Sequence, residues 1–269
     1  MPGAGPNVPV PAHLEPHAEV PECPPGWRTG PPDFIGVGAQ RAGTKWWYEL
    51  IVDHPRVERV AAVRRELHFF ERFWDGSFSA ADAASYHRFF ARPDGAIAGE
   101  WTPRYMLDFW TPRLLKRAAP EAKLLVLLRD PIDRYRSGLA RELRLAERRG
   151  AALSPMIWSD TLSRGRYSEQ LTRLLRFFDR ERILVLQYER CRSAPADELR
   201  RTYSFLGVEP TGHLPAEMTE QVGRALSKRE LAPDLEADLV AALADDVREL
   251  AERFPEIDVG LWPSFSGAV

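Results

Sequence analysis

The sequence predicts a single α/β domain whose central, mainly parallel β-sheet is flanked by helices. Three short apolar runs, at residues 33–38, 123–128 and 183–187, support this prediction. The first two are followed by a polar turn and a helix-compatible segment, and the third is preceded by one. Because parallel sheets arise from alternating strands and helices, we expect ligands at the edge where the loops leave the strands.

The first unit begins with an apolar run over residues 33–38 that ends in glycine. A polar turn occupies 39–43, and residues 44–52 are compatible with a helix. This order predicts a strand, a loop and a helix.

The second unit has a continuous apolar strand pattern at 123–128, a turn at 129–133 and a charged helix at 134–149. An amphipathic helix is expected around 167–179, before the third strand. Apolar residues recur at helical intervals over 233–254, which predicts one or two further helices packed on the sheet.

The domain organisation follows from length and proline content. Prolines crowd residues 1–32, so this stretch is expected to be a mobile or surface-hugging arm. Residues 33–269 form the predicted domain. The 44% hydrophobic content of the 269 residues is typical of a globular protein.

Charge and cysteine content narrow the classes of partner and compartment. The formal net charge of −2 favours neither nucleic acid nor an anionic membrane, so an anion site must be built locally. Two cysteines, Cys23 and Cys191, suit a reducing compartment as free thiols. With neither a signal peptide nor a long apolar run, we expect a cytoplasmic protein without stable membrane insertion, and no metal-site motif occurs.

The loop from Gly38 to Gly43 has glycines spaced as in loops that cradle phosphate, although plain strand-to-helix turns look the same. Arg41 within the loop and Thr44 at the helix start add a cation and a hydroxyl, which favours anion binding. A nucleotide triphosphatase loop requires a lysine after the glycine and then a serine or threonine. Here Gly43 is followed by Thr44 and then Lys45, so the hydroxyl and ammonium positions are exchanged. Magnesium-dependent phosphoryl transfer is therefore the weaker option.

Two segments around this loop resemble sulfotransferases that use 3′-phosphoadenosine 5′-phosphosulfate (PAPS), in particular the bacterial and heparan sulfate branch. GVGAQRAGTKWWYELIVDHPRV at 36–57 is similar to that family's 5′-phosphosulfate loop, and RRELHFFERFW at 64–74 to the segment that follows it. KLLVLLRDPIDRYRSGLARE at 123–142 resembles the 3′-phosphate motif. The resemblance implies a P-loop-like fold and extends more weakly over nearly everything after the arm.

By this resemblance, the loop would bind the phosphosulfate end of PAPS. Arg41 stands where the family usually has a catalytic lysine, and it can stabilise charge on the leaving oxygen without donating a proton readily. The residues expected to bind this end are Gln40, Arg41, Ala42, Gly43, Thr44 and Lys45.

Two other segments would hold the 3′-phosphate end. Arg129 would do so by charge-assisted hydrogen bonds and Ser137 by its hydroxyl. The structural alternative for Arg129 is a strand-ending turn capped by Asp130, and the two interpretations are compatible. Nearer the C-terminus, a basic loop with Arg224, Ser227 and Lys228 is expected to close over the nucleotide.

Glu66 matches the carboxylate that the heparan-type enzymes use as general base, against the alternative of a solvated charge run. His68, two residues on, lies on the same side if the stretch is extended. It is the reserve base, or else a half-buried packing residue.

An acceptor cleft is expected beside Trp101, Tyr105 and Tyr167. Trp101 replaces a family lysine, so it could stack on a sugar or flat ring, or could belong to the core. Tyr167 is expected near the cofactor and acceptor, with a helix-face aromatic as the alternative.

The predicted function is transfer of the sulfuryl group of PAPS to a hydroxyl or amine, with release of adenosine 3′,5′-bisphosphate (PAP). A small molecule, a lipid and a glycan are all open as acceptor classes, and so is the oligomeric state. The alternatives are a nucleotide-dependent phosphotransferase or hydrolase and a non-catalytic nucleotide-binding protein of the same fold.

Overall fold

A computed structural model describes residues 20, 22–60, 66–150, 152, 154–210, 214–215, 218 and 230–266. Within these residues, five strands form one parallel sheet in the order β2-β3-β1-β4-β5. The strands are β1 (Phe34–Gly38), β2 (Val57–Arg59), β3 (Ile97–Trp101), β4 (Lys123–Leu128) and β5 (Ile183–Gln187). The predicted α/β domain with a parallel central sheet is confirmed.

Helices connect the strands and pack around the sheet. Among them, α1 contacts α8, while α9 contacts both α4 and α6. The helices are α1 (Thr44–Val52), α2 (Ala80–His87), α3 (Thr111–Ala118), α4 (Pro131–Arg149), α5 (Pro155–Ser163), α6 (Tyr167–Leu175), α7 (Tyr188–Ser193), α8 (Pro195–Leu206) and α9 (Pro233–Arg253). Short 3₁₀ turns occupy Glu71–Phe73, Arg180–Arg182 and Val259–Leu261. None of the helices in the described part of the chain is both long enough and apolar enough to cross a membrane.

The three strands that the sequence predicts are those in the middle and on one side of the sheet. Every residue of β1 and β5 is buried, and so is all of β4 after its first residue. Strands covered on both faces are continuously apolar, which makes them visible in a sequence. The sequence analysis predicted neither β2, which has three residues, nor β3, whose run contains Gly99 and Glu100.

Helix α4 begins at Pro131, earlier than the predicted residue 134. Proline suits the first turn of a helix because its missing N–H would have no partner there. The carboxylate of Asp130 caps the helix by accepting hydrogen bonds from the amides of Ile132 (2.8 Å) and Asp133 (3.2 Å). The supposed turn at 129–133 is therefore mostly the helix start, which brings the helix up to the end of β4.

Helix α1, which follows the first loop, is fixed by buried hydrogen bonds to its neighbours. The Trp47 indole donates to Oγ1 of Thr202 in α8 at 3.2 Å. The hydroxyl of Tyr203, also in α8, donates to the Leu50 carbonyl at 2.9 Å. The Tyr48 hydroxyl donates to the carbonyl of Gly99 in β3 at 3.1 Å. These hydrogen bonds fix α1 against α8 and β3, and with it the end of the loop that precedes α1.

Of the predicted arm, the structure describes residue 20 and residues 22–32. Arg28 and Arg92 form an antiparallel bridge through their backbone amides and carbonyls (3.0 and 2.9 Å). The buried Arg92 side chain also donates to the Pro31 carbonyl and pairs with Asp33 at 2.9 Å. The end of the arm therefore lies against the domain.

Candidate active site

The loop between β1 and α1 is tied to the neighbouring strand. The Ala39 amide donates to the Leu127 carbonyl of β4 at 2.8 Å, and the Ala42 amide turns inward to the Ala39 carbonyl at 3.2 Å. Gly43 has a φ of +93°, and a Cβ there would lie 2.8 Å from the Tyr188 ring. Glycine is therefore required on both conformational and steric grounds.

Helix α1 points its amino-terminal end into this loop. Thr44 is its first residue and is only 6% exposed, whereas the Lys45 side chain is exposed and Gln40 is half-buried. The first amides of a helix have no partner within the helix and carry a partial positive charge. Backbone donors and a hydroxyl thus converge on one place, as anion binding requires.

Arg41 joins the two predicted nucleotide motifs. Its backbone is left-handed, with φ 72°, and its Nε and Nη2 atoms donate to Ser137 Oγ of α4 at 3.1 and 3.0 Å. Burial lowers the pKa of the Arg41 guanidinium, and the positive charges of Arg141 and Arg129 lower it further, against the opposing effects of Glu142 and Glu66. The guanidinium that contacts Ser137 therefore has two further guanidiniums and two carboxylates near it.

Arg129 lies directly after β4 and is mostly buried. Its Nη2 atom is 3.3 Å from Asp133 Oδ2, and its guanidinium carbon lies 4.8 Å from the centre of the Tyr188 ring. The Tyr167 hydroxyl donates to its backbone carbonyl at 2.9 Å. Among the described residues its guanidinium donates only to Asp133, and 13% of the side chain is exposed, so N–H groups remain for a further anion.

The turn that carries Arg129 is held from outside by Glu189. This carboxylate accepts hydrogen bonds from the Asp130 amide and from the Trp262 indole, both at 3.0 Å. Asp130 in turn accepts from the Ser264 amide at 3.1 Å. The C-terminal segment, through Trp262 and Ser264, thus stabilises the turn after β4 that contains Arg129.

Glu66, His68 and Glu71 form one polar cluster. His68 Nε2 lies 3.1 Å from Glu66 Oε2, and His68 Nδ1 is hydrogen-bonded to Glu71. His68 has φ 50°, so the stretch is not extended as the sequence argument assumed, and the two side chains meet through a turn. Burial lowers the pKa of His68, but the hydrogen bonds that its ring donates to the Glu66 and Glu71 carboxylates, together with their negative charges, outweigh burial and raise the pKa to about 10.

This protonation state separates the two candidate bases. At neutral pH the His68 imidazole is charged and cannot accept a proton. Glu66 keeps 41% of its side chain exposed beside that cation, so its carboxylate is the one of the two candidates that a ligand can reach.

A buried carboxylate, Glu100 in β3, supports the segment that carries this cluster. It accepts hydrogen bonds from the Leu67 amide (3.3 Å) and from the hydroxyls of Tyr86 (2.7 Å), Tyr105 (3.0 Å) and Thr102 (2.5 Å). Burial raises the pKa of Glu100. The backbone between Glu66 and His68 is therefore pinned to the central sheet.

Comparison with known proteins assigns the family. The family model described as the sulfotransferase domain matches residues 31–231, which include both nucleotide motifs and the Glu66 segment. This chain belongs to the sulfotransferase family.

Curated relatives and solved structures agree with this assignment. The chain is 33% identical over 228 residues to mouse heparan sulfate glucosamine 3-O-sulfotransferase 6, covering 77% of this chain and 64% of the relative. It is 32% identical over 190 residues to human heparan sulfate glucosamine 3-O-sulfotransferase 3B1, covering 66% and 46%. The chain thus spans less than two thirds of the length of these relatives.

A sulfotransferase from Alicyclobacillus acidocaldarius superimposes with a TM-score of 0.66 at 25% identity, covering 86% of this chain and 98% of that one. The sulfotransferase domain of the Synechococcus PCC 7002 olefin synthase, at 18% identity and a TM-score of 0.53, shares the fold. It covers 88% of this chain and 98% of the domain.

The three residues expected at the acceptor cleft of this sulfotransferase are buried. Trp101 is 2% exposed, lies against Gly36, and donates from its indole to the Gly38 carbonyl at 3.1 Å. This position matches the core alternative, and stacking on a sugar would require the ring to leave the core. Tyr105 and Tyr167 use their hydroxyls on Glu100 and on the Arg129 carbonyl, so both support the site from behind.

The predicted basic loop with Arg224, Ser227 and Lys228 lies outside the described residues. Among the described residues, no group of three or more His, Cys, Asp or Glu side chains is placed to hold a metal ion.

The sequence analysis missed three charged residues of the site, Glu71, Glu100 and Arg104. The position of Glu71 after Phe69 and Phe70 hides it in an aromatic run, and Glu100 lies in the strand that was not predicted. A carboxylate within an otherwise apolar run is the signal that could have found both, since buried charges need partners.

Proposed function

We propose that this chain transfers the sulfuryl group of PAPS to a hydroxyl or amine acceptor and releases PAP. The observation that supports this most is the contact between Arg41 and Ser137, which brings the loop after β1 and the motif after β4 within hydrogen-bond distance. These loops leave adjacent parallel strands at the edge where α/β sheets bind ligands. The site also fits a doubly anionic nucleotide, because the guanidiniums of Arg129 and Arg141 lie near that of Arg41, and within the described residues Arg129 donates only to Asp133.

Each residue has a distinct task in this proposal. Thr44 and the amides at the start of α1 bind the phosphosulfate, while Arg129 and Ser137 bind the 3′-phosphate. Glu66 accepts the proton of the acceptor as its oxygen or nitrogen forms a bond to sulfur. The bond between sulfur and the bridging oxygen breaks, its electron pair stays on the phosphate of PAP, and Arg41 stabilises that charge.

The acceptor is proposed from a smaller set of observations. The names of the relatives describe 3-O-sulfation of glucosamine in heparan sulfate, which supports a glycan hydroxyl among the small-molecule, lipid and glycan classes. Trp101, in place of the expected lysine, supplies no cation there. A cytoplasmic location and the absence of nucleic acid as a partner stay predictions.

Incubation with isotopically labelled PAPS and a metabolite and glycan extract, followed by mass spectrometry, tests the proposal. We expect a product heavier by one labelled sulfuryl group and an equal amount of PAP. Stabilisation against heat by ATP with magnesium but not by PAPS would instead support the phosphotransferase alternative. Binding of PAPS without transfer to any component would support the non-catalytic one.

A further inference from the structure

The polar cluster at Glu66 continues into a chain of charges that its role as a base does not use. Glu71, only 2% exposed, faces His68 with one oxygen, and its other oxygen lies 3.6 Å from Arg104 Nε. The same Nε donates to Asp108 Oδ2 at 3.0 Å, and Asp108 is 5% exposed. One guanidinium is thus shared between two buried carboxylates, of which Asp108 holds it more closely.

We propose that Asp108 is a positioning residue: it holds Arg104 away from Glu71, so that Glu71 keeps His68 charged and hydrogen-bonded to Glu66. This inference rests on the proposed function, in which Glu66 is the base. Neither residue touches the reacting atoms.

The sharing of Arg104 is what gives Asp108 its effect. A cation fully paired with Glu71 would neutralise that carboxylate and weaken its hold on the imidazolium of His68. Asp108 holds the guanidinium of Arg104 closer to itself, so the negative charge of Glu71 is only partly neutralised. Burial raises the pKa of Asp108 to about 6 even though Arg104 opposes it, so Asp108 is ionised at neutral pH and holds the cation.

Charges on neighbouring elements act on the same groups and set the background. Arg164 and Asp160 of the α5 region affect Asp108 and Arg104 respectively, and they are hydrogen-bonded to each other. Glu66 completes the set around His68, and Glu66 itself interacts with the more distant Arg41. These groups stay constant when only residues 104 and 108 are changed.

The pKa of His68, measured by NMR on histidine-labelled protein without PAPS, tests the proposal directly. The chain has six histidines, and a His68→Asn variant assigns the resonance. In Asp108→Asn, Arg104 turns fully to Glu71, and we expect the pKa of His68 to fall by about 0.5–1, less than a charge in direct contact would produce. Adding Arg104→Gln to Asp108→Asn removes the cation, and the pKa should rise again by a similar amount.

Two further variants separate charge from damage to the fold. Arg104→Lys in the Asp108→Asn background keeps the cation, so His68 should stay at the lowered value. Arg113→Gln removes an exposed arginine of α3 and should leave His68 unchanged. Equal values of the His68 pKa in the Asp108→Asn and double variants, or a further fall in the double variant, would overturn the proposal.

This measurement needs no turnover, so its outcome is independent of whether the chain transfers sulfuryl groups. In the active enzyme, a change in the His68 pKa should also displace the alkaline limb of the pH dependence of kcat in the same direction. If the pKa of His68 changes while the alkaline limb of the kcat profile does not move, the inferred effect of His68 on Glu66 is refuted.

Discussion

The 3′-phosphate site makes the most specific claim about ligands, and Arg129→Ala is the change that tests it. If Arg129 and Ser137 bind that phosphate, PAP stabilises the folded chain, whereas AMP, which lacks the 3′-phosphate, stabilises it much less. In the variant, PAP should lose most of this advantage.

The size of the effect follows from the surroundings of Arg129. Its one described carboxylate contact is long, at 3.3 Å, and its buried Nε has no partner in the described part of the chain, so a bound phosphate adds charged hydrogen bonds. A hydrogen bond to a charged group contributes about 1.5–3 kcal/mol, or roughly a 10- to 150-fold change in Kd. At ligand 100 times above Kd, the wild-type gain is about 2.7 kcal/mol, and about 5–10 °C in Tm.

Thermal unfolding with each nucleotide, supported by calorimetric titration, measures this difference. Arg148→Ala serves as the matched control, because it removes an exposed arginine near the end of α4, the helix that follows Arg129. Equal stabilisation of the wild type by AMP and PAP would refute the assignment. So would an Arg129→Ala variant that still distinguishes them as the wild type does.

Three further changes test other parts of the account. Because the pKa of His68 rises from its usual 6.5 to about 10 on folding, its contribution to stability is complete below pH 6.5 and is lost as pH rises towards 10. Between pH 6 and pH 9, the free energy of unfolding in urea should therefore fall less in His68→Asn than in wild type, and equal falls would contradict the argument. Gly43→Ala should cost about 1–3 kcal/mol of stability and also weaken PAP binding, because the φ of Gly43 is +93° and a Cβ there would approach the Tyr188 ring. As its control, Gly95→Ala, at φ +79° in open space, should lower stability and leave PAP binding unchanged. Deletion of residues 1–25 should leave calorimetric PAP affinity nearly unchanged; an unfolded product would show that this segment is structural.

The fold could be predicted where burial leaves a simple pattern. Strands β1, β4 and β5 are apolar throughout because helices cover both faces, and α9 shows its regular spacing of leucines. Strand β3 could not be predicted, because Glu100 near its end is satisfied by hydroxyl partners that all lie outside the strand.

The candidate site was predictable as a set of motifs, but its geometry was not. Glu66 and His68 were paired by their spacing, yet only the fold shows that Glu71 holds His68 charged. The contact between Arg41 and Ser137 spans two loops and depends on the order of β1 and β4 in the sheet. Trp101 was ambiguous, since an aromatic beside a glycine-rich strand suits both a cleft and a core, and the close approach to Gly36 places it in the core.

The most direct test of the account is the rate of sulfuryl transfer by Glu66→Gln and His68→Asn, at saturating PAPS and with an acceptor found by mass spectrometry. Glu66→Gln keeps the size of the side chain and should keep PAPS affinity, but turnover should fall by roughly 10²–10⁴-fold, the usual loss without a general base. His68→Asn should cost much less, because its charged imidazole orients Glu66 without accepting the proton. A Glu66→Gln enzyme with wild-type turnover, or a larger loss in His68→Asn, would contradict the mechanism.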